Sequence, residues 1–244
     1  MADRLNVLLT GAAGRVGQML LPSFKERYAL RAFDRVPVPG DPAALRGDLE
    51  DAEGLRQAMA GVDVLVHLAA DPNPFAKFRE ELVGPNIVGL YNAFQAAVEA
   101  KVRRVVYASS VQTVMARPFE TDSVDVNDPP RPHTLYGATK HFGEVLGRWF
   151  HDHHPLEFVA LRLGGTCKAK PEGFAWKSEA PWNWLSDRDA VQLFTKAIET
   201  PGVGFLVAFG RSKTVREYMS LRTAREVLGY EPQDDVRAHL PPRE

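Results

Sequence analysis

The chain has 244 residues, with 30 Lys and Arg against 31 Asp and Glu and a formal charge of −1. That balance excludes the basic footprint of a nucleic-acid binder, and no apolar run reaches the roughly 20 residues of a membrane span. At 45% hydrophobic and 25% charged residues, the composition is that of a globular fold with a sizeable core. The N-terminus enters a strand-like run without a leader-like apolar stretch. The lone Cys167 cannot close an internal disulfide. The expected setting is therefore a reducing one, soluble and cytoplasmic.

Residues 5–9 (LNVLL) read as a buried strand, followed by a Gly-rich turn and a helical stretch over 15–25. A second strand over 29–33 ends at Asp34, a helix follows over 51–60, and a third strand covers 62–68. The stretch 80–100 carries Ile87, Leu90, Tyr91, Phe94 and Val98 close to a 3.6-residue period and predicts one long helix. Residues 104–108 and 158–162 read as two more strands, separated by a Pro-rich loop over 118–132 and a helix starting near Leu135. Beyond Arg162 the periodicity breaks. Residues 168–184 hold Pro171, Gly173, Pro181 and three tryptophans, which predicts a long loop, and such loops are usually functional. A helix over 187–199, a strand over 204–209 and a helix over 217–228 complete the chain.

Strands separated by helices predict parallel pairing in an α/β, Rossmann-type doubly wound sheet. The whole of 1–244 reads as a single dinucleotide-binding domain, with 164–244 contributing most of a small C-terminal substrate-binding portion.

Between the first strand and first helix stands Thr10-Gly11-Ala12-Ala13-Gly14-Arg15-Val16-Gly17. Gly11 allows a tight turn, Gly14 a close backbone approach to a pyrophosphate, and Gly17 close helix–strand packing, with free N–H groups at the helix N-terminus facing the anion. Asp34, 17 residues after Gly17, suits hydrogen bonds from an adenosine ribose and repels a 2′-phosphate, so NAD is favoured. Arg35 beside it attracts such a phosphate, which leaves NADP open. Asp48-Leu49 fits either an adenine contact or the N-cap of the helix over 51–60.

Tyr136 and Lys140 lie four residues apart, on one face of a helix. A tyrosine titrates near 10 in water. An adjacent ammonium favours the phenolate and makes Tyr136 usable as a general acid/base. Ser110, just past a strand, is placed to orient the substrate oxygen. On the same helix Phe142, Val145, Leu146, Trp149 and Phe150 form an apolar side, and Tyr136, Lys140 and Glu144 another.

Gly11-x-x-Gly14-x-x-Gly17, Asp48-Leu49, His67-Leu-Ala-Ala70, Asn86 with Val88-Gly89, Ser109-Ser110, Tyr136-x-x-x-Lys140 and Leu161-Arg-Leu-Gly164 occur in order. Together they resemble the extended short-chain dehydrogenase/reductase family of NAD-dependent epimerases, dehydratases and sugar dehydrogenases. The resemblance implies that Arg15 and Val16 join the glycines at the cofactor, that Leu68, Ala69 and Ala70 border it, and that Lys140 bonds the nicotinamide ribose. It also implies that Ser110 and Tyr136 hold the reacting oxygen, and that the chain forms a homodimer through the helices over 80–100 and 136–150. The apolar faces of those helices could equally pack on the sheet alone. Asn86 reads as a helix kink or cap rather than a chemical group.

Only 104 residues follow Lys140, too few for a typical sugar-nucleotide domain, which points to a small substrate. The nearest look is that of uronate dehydrogenases, in Gly89-Leu-Tyr-Asn92, Thr113, Arg131-Pro132, Trp184-Leu-Ser186 and Asp189. Their Asn-His after the paired serines is replaced by Val111-Gln112, and their Ser after the Arg-Ile-Gly segment by Gly165-Thr166. The arginine that clamps their substrate carboxylate is missing between Cys167 and Trp184, where Lys168, Lys170 and Lys177 stand instead. Lysine neutralises a carboxylate but lacks the bidentate fork, and losing these groups can change the substrate.

Substrate contacts are accordingly expected from Ser110, Val111, Gln112, Gly165 and Thr166, and from Asp71 and Asn73. The alternative for the Asp71-Pro-Asn-Pro74 segment is a plain Pro-stiffened loop. Phe174, Trp176, Trp182 and Trp184 form either a sugar-stacking wall or ordinary loop packing. His151, His153 and His154 lack a metal-ligand partner spacing and read as a solvated helix end. Asp187 and Asp189 read as a helix cap with favourable dipole interactions. The expected activity is an NAD-dependent oxidoreductase on a sugar-like hydroxyl. An epimerase or reductase that recycles its cofactor, and a non-catalytic dinucleotide sensor, are the rivals.

Overall fold

The computed structural model describes residues 4–116, 123–166 and 180–240. Cys167, Lys168, Lys170, Phe174, Trp176, Lys177 and most of the expected 168–184 loop fall outside the described residues, as does part of the Pro-rich loop.

Apolar runs become strands with both faces covered. These are β1 (Asn6–Thr10), β2 (Ala29–Asp34), β4 (Val64–His67), β5 (Arg104–Ser110), β6 (Glu157–Leu163) and β7 (Phe205–Gly210). A two-residue edge strand, β3 (Leu45–Arg46), pairs with β2. All pairings are parallel, in the order β3-β2-β1-β4-β5-β6-β7. Alternate residues feed two cores. Val7, Leu9, Val64, Val66 and Val106 face one, and Leu8, Leu65, Val105 and Tyr107 the other.

The first core is covered by α1 (Arg15–Arg27), α6 (Asp187–Glu199) and α7 (Arg222–Leu228), through Leu20, Phe24, Leu193, Phe194 and Leu228. The second is covered by α2 (Ala52–Ala58), α3 (Gly89–Glu99) and α4 (Leu135–His153), through Leu55, Leu90, Phe94 and Phe150. Within 164–240, β7 belongs to the sheet, and α6 and α7 pack in its first core. A short helical turn, α5 (Ala180–Asn183), precedes α6.

The expected helix over 80–100 is only partly α-helical. Phe78–Leu82 and Gly84–Val88 are wide turns, closed by bonds such as Gly89 N to Gly84 O, five residues back. Pro85 is the physical reason, since it has no N–H and its ring crowds the preceding turn. The expected 217–228 helix shortens to α7, and Val124 forms a parallel bridge with Met219.

Helix α4 also packs differently from the expected division of faces. Phe142, Val145 and Trp149 are 37–56% exposed, whereas Lys140, Gly143, Glu144, Gly147 and Phe150 are buried. The two glycines set this. A Cβ at Gly143 would lie 2.4 Å from the Tyr107 hydroxyl, and one at Gly147 2.1 Å from the Phe158 ring. The helix backbone therefore rests directly on β5 and β6, with Phe142, Val145 and Trp149 outward and Phe150 in the core.

No helix among the described residues is long and apolar enough to cross a membrane.

Candidate active site

The order of strands reverses between β1 and β4, and crevices at the C-terminal ends of parallel strands are where α/β sheets take ligands. A cavity of about 350 Å³ lies there. Gly11 follows β1 with φ of 75°, and a Cβ there would come within 2.6 Å of the Ala69 amide nitrogen. Only glycine permits that turn against the next strand. Helix α1 begins with Gly14 as its N-cap, which makes no side-chain cap bond, and its N-terminal residues Gly14, Val16 and Gly17 line the cavity.

The cavity wall contains most of the residues expected at a cofactor. Gly11, Gly14, Val16 and Gly17 supply the glycine loop, and Asp34 with Arg35 the end of β2. Asp48 and Leu49 line it beyond β3, and Leu68, Ala69 and Ala70 beyond β4. Arg15, Tyr136 and Lys140, also expected at the cofactor, are not on the wall, and the Arg15 guanidinium pairs with Asp187 at 2.9 Å. Asp34 takes the Ala13 N–H at 2.9 Å and the Val36 N–H at 3.1 Å, locking the glycine loop to the end of β2. Asp51, not Asp48, caps α2, accepting from Gly54 N at 3.0 Å. Asp48 accepts from Glu50 N, and the Leu49 carbonyl is held by Asn92 Nδ2 at 3.1 Å. Gly47, Glu50 and Pro85 complete this wall unanticipated by sequence, because β3 carries no pattern of its own. The glycine turn, the helix N-terminus and the carboxylate at the end of β2 fit a dinucleotide.

β5, next to β4 in the sheet, ends at Ser110. Ser110 Oγ accepts from Gln112 N at 3.2 Å, and its hydroxyl is near enough to the Tyr136 phenol to favour the ionised form. Tyr136 and Lys140 occupy the first two turns of α4, which is capped by Thr134 through Gly137 N at 3.0 Å. Lys140 Nζ donates to the Ala108 carbonyl at 2.9 Å and lies 5.0 Å from the Tyr107 ring centroid and 5.7 Å from that of Tyr136. The three expected catalytic side chains are thus together.

Their electrostatics differ from expectation. Burial pushes Tyr136 up to about 12, with the nearby Ser110 hydroxyl opposing the rise and the Asp71 charge adding to it. Burial pushes Lys140 down to about 7. Desolvation disfavours the charged form of both groups and is the largest cause of each shift.

Two buried networks hold this arrangement. Glu144, one turn beyond Lys140, pairs with Arg162 of β6 through two 2.8 Å bonds, both side chains being 4% exposed. It also accepts from Ser109 Oγ at 2.5 Å and contacts His141 Nδ1 at 3.1 Å. Burial alone would raise Glu144, but bonds from Arg162, His141 and Ser109 bring it below the usual carboxylate range. The second network centres on Asn86, which is 4% exposed. Its amide takes the Asp71 N–H at 2.7 Å and donates to the Asp71 carbonyl at 3.1 Å and to Thr139 Oγ1 at 3.1 Å. Thr139 Oγ1 in turn donates to the Tyr136 carbonyl at 2.8 Å. Asn86 therefore ties the loop after β4 to the turn bearing Tyr136, a role neither of its sequence readings contained.

The expected substrate residues separate. Asp71 lines the cavity, and Asn73 N donates to its carboxylate at 2.8 Å. Gln112 follows Ser110 in a tight turn (Val111–Thr113) and has a buried amide oxygen without a partner among the described residues. Val111 does not join it, being 3% exposed and packed in the first core. Gly165 is tied to Asn183 and Leu185 by 2.7 and 3.0 Å backbone bonds beside half-buried Thr166. Trp184 is buried and edges His239, which is packing rather than an exposed sugar wall.

Ser186, not the neighbouring acids, caps α6, accepting from Asp189 N at 3.1 Å. Asp189 is fully buried and accepts from Ser212 Oγ, Gln233 N and Asp234 N. His151 and His153 bond the carbonyls of Leu156 and Trp149, and no metal-holding cluster occurs among the described residues.

Residues 7–167 match the sequence model of the NAD dependent epimerase/dehydratase family. The chain is 37% identical to an NAD-dependent glucose-6-phosphate dehydrogenase of Haloferax volcanii, over 94% of this chain and 93% of that one. It is 32% identical to an L-arabinose 1-dehydrogenase (NAD(P)(+)) of the same organism, over 94% and 96%. A crystal structure of uronate dehydrogenase from Agrobacterium tumefaciens superposes with a TM-score of 0.86 at 31% identity, covering 98% of this chain and 91% of that one.

Proposed function

The chain belongs to the NAD dependent epimerase/dehydratase family, and on that premise we propose that it is an NAD-dependent dehydrogenase oxidising the anomeric carbon of a small, un-nucleotidylated sugar. The observation that carries the reading is the grouping of Ser110 at the end of β5 with Tyr136 and Lys140 at the start of α4, joined through Thr139 and Asn86 to Asp71 on the cavity wall. The family and its sugar-dehydrogenase relatives make NAD the cofactor, held by the glycine loop, Asp34 and the Leu68–Ala70 segment.

Ser110 fixes the direction of the sugar's anomeric hydroxyl. Tyr136, as phenolate, takes the proton from that hydroxyl while the C–H bond breaks. When bound, the oxidised nicotinamide accepts the hydride and adds a positive charge beside the phenol. Lys140 supplies a second positive charge, which is what a phenol at about 12 needs to act near neutral pH. The product of a cyclic sugar is the lactone. Incubation with NAD and a panel of aldoses, sugar phosphates and uronates, followed by NADH absorbance, tests the reading. Net NADH formation supports a dehydrogenase, and turnover without it supports a cofactor-recycling epimerase.

The outward Phe142, Val145 and Trp149 of α4, with Val88 and Tyr91 beside α3, favour a homodimer through these helices. A light-scattering mass of twice 27.1 kDa is the expected result, and a monomer at micromolar concentration would contradict it.

A further inference from the structure

The Lys140 side chain is buried with few partners. Among the described residues its Nζ makes one hydrogen bond, to the Ala108 carbonyl at 2.9 Å, and pairs with no carboxylate. What remains are two aromatic faces. Nζ lies over the Tyr107 ring, 5.0 Å from its centroid, and over the Tyr136 ring at 5.7 Å. The Tyr107 ring is itself fixed. His67 stacks on it with centroids 6.2 Å apart, Phe94 meets it edge-on at 5.8 Å, and Gly143 leaves room for its hydroxyl against α4. The titratable groups around Nζ and that ring are His67 on β4, Tyr107 on β5, and Tyr136 and Glu144 on α4. Burial, helped by the Lys140 charge, pushes His67 down to about 3, so its imidazole is neutral. Glu144 is paired with Arg162 of β6. The Tyr107 phenol is held well above its ordinary value by burial, so it too stays neutral.

Resting on the dehydrogenase reading above, we propose that Tyr107 is a positioning residue for Lys140: the face of its ring holds the ammonium charged and in place beside Tyr136. An aromatic face is negative at its centre and attracts a cation within about 6 Å, more strongly where water is excluded. The Ala108 carbonyl takes one of the three ammonium donors, and any residue at that position would offer the same carbonyl. The ring is what the side chain at 107 adds. Burial favours the neutral amine, and a neutral amine does nothing to stabilise the Tyr136 phenolate. β5 carries Tyr107 and Ser110 three residues apart, so the strand that presents the hydroxyl to the substrate oxygen also seats the Lys140 charge.

The test replaces Tyr107 by rings of similar shape and opposite face charge, Tyr107→Phe and Tyr107→pentafluorophenylalanine. The titration of Lys140 is followed by NMR of isotope-labelled lysine side chains, with its signal assigned by its loss in Lys140→Met. In Tyr107→Phe the midpoint is expected within ~0.3 pH units of the native chain, and in the fluorinated variant about one unit or more lower. One unit means about a tenfold smaller charged fraction, so kcat for NADH formation with the best sugar of the panel should fall about tenfold between the two variants. NAD affinity should stay within a few-fold in both. A merely structural Tyr107 would move the two variants alike, because the rings fill nearly the same space. Midpoints within ~0.3 units of each other, or equal rates despite separated midpoints, overturn the role of Tyr107. The NMR titration needs no substrate. If the midpoints separate as expected while the native chain binds NAD and oxidises no sugar, Tyr107 still holds the Lys140 charge and the sugar-dehydrogenase reading falls.

Discussion

Lys140 is held 2.9 Å from the backbone carbonyl of Ala108, buried and over the ring of Tyr107, with no carboxylate paired to it among the described residues. A buried amine of this kind costs stability when protonated. Folding lowers its affinity for protons, so the unfolded chain binds the extra proton between about 7 and the ordinary value near 10.4. Its unfavourable contribution is therefore full below pH 7 and disappears as the pH rises through that window. Lys140→Met should abolish turnover yet stabilise the chain by about 1–3 kcal/mol at pH 6, with less gain at pH 9. Denaturant melts at the two pH values check this, and a gain independent of pH would contradict it.

The Glu144–Arg162 pair behaves in the opposite sense. Glu144→Ala leaves a buried guanidinium unpaired and should cost about 3–5 kcal/mol, whereas replacing both residues by apolar side chains of similar volume should recover most of that. Because folding depresses Glu144, its contribution is present above the ordinary carboxylate value of about 4.3 and is lost as the pH falls through the depressed one. Urea melts of the single and double variants from pH 7 down to pH 3 test both statements.

Gly11→Ala should remove cofactor binding without unfolding the sheet. The new methyl would press on the Ala69 amide from a backbone with positive φ, and the loop must move away from the pyrophosphate position. A fall in NAD affinity of at least 100-fold by fluorescence titration is expected, with far-UV circular dichroism unchanged.

Asn86→Ala should lower kcat about 10-fold or more while leaving NAD affinity within a few-fold, since Asn86 touches the Asp71 backbone and Thr139 rather than the glycine loop. Asn86→Asp keeps the acceptor for Asp71 N but loses both donated bonds, and it should restore only part of the rate. Equal loss of NAD affinity and rate would place the residue in the fold rather than in positioning the site.

The parallel sheet and the glycine loop were legible because their signals are local: apolar runs of five to seven residues, and glycines within one turn. Ser110, Tyr136 and Lys140 were legible for the same reason, each lying at the end of a strand or start of a helix. Other features depend on residues far apart in the chain. The wide turns around Pro85 lie beneath a near-perfect helical period, and the two-residue strand at Leu45 has no pattern to read. The outward face of α4 follows from where Gly143 and Gly147 meet Tyr107 and Phe158, so that of its expected apolar side Phe150 is buried while Phe142, Val145 and Trp149 are exposed. The tie from Asp71 through Asn86 to Thr139 spans 53 residues between the last two, and the raised Tyr136 reflects burial rather than its helical spacing from Lys140.

The account rests on Tyr136 as the group that takes the proton while hydride leaves the sugar. Tyr136→Phe, mixed with NAD and the best sugar of the panel, measures this directly through the rate of NADH formation and the NAD dissociation constant. The prediction is a rate loss of about 1,000-fold or more with NAD binding unchanged within a few-fold. Turnover within tenfold of the native chain would contradict it.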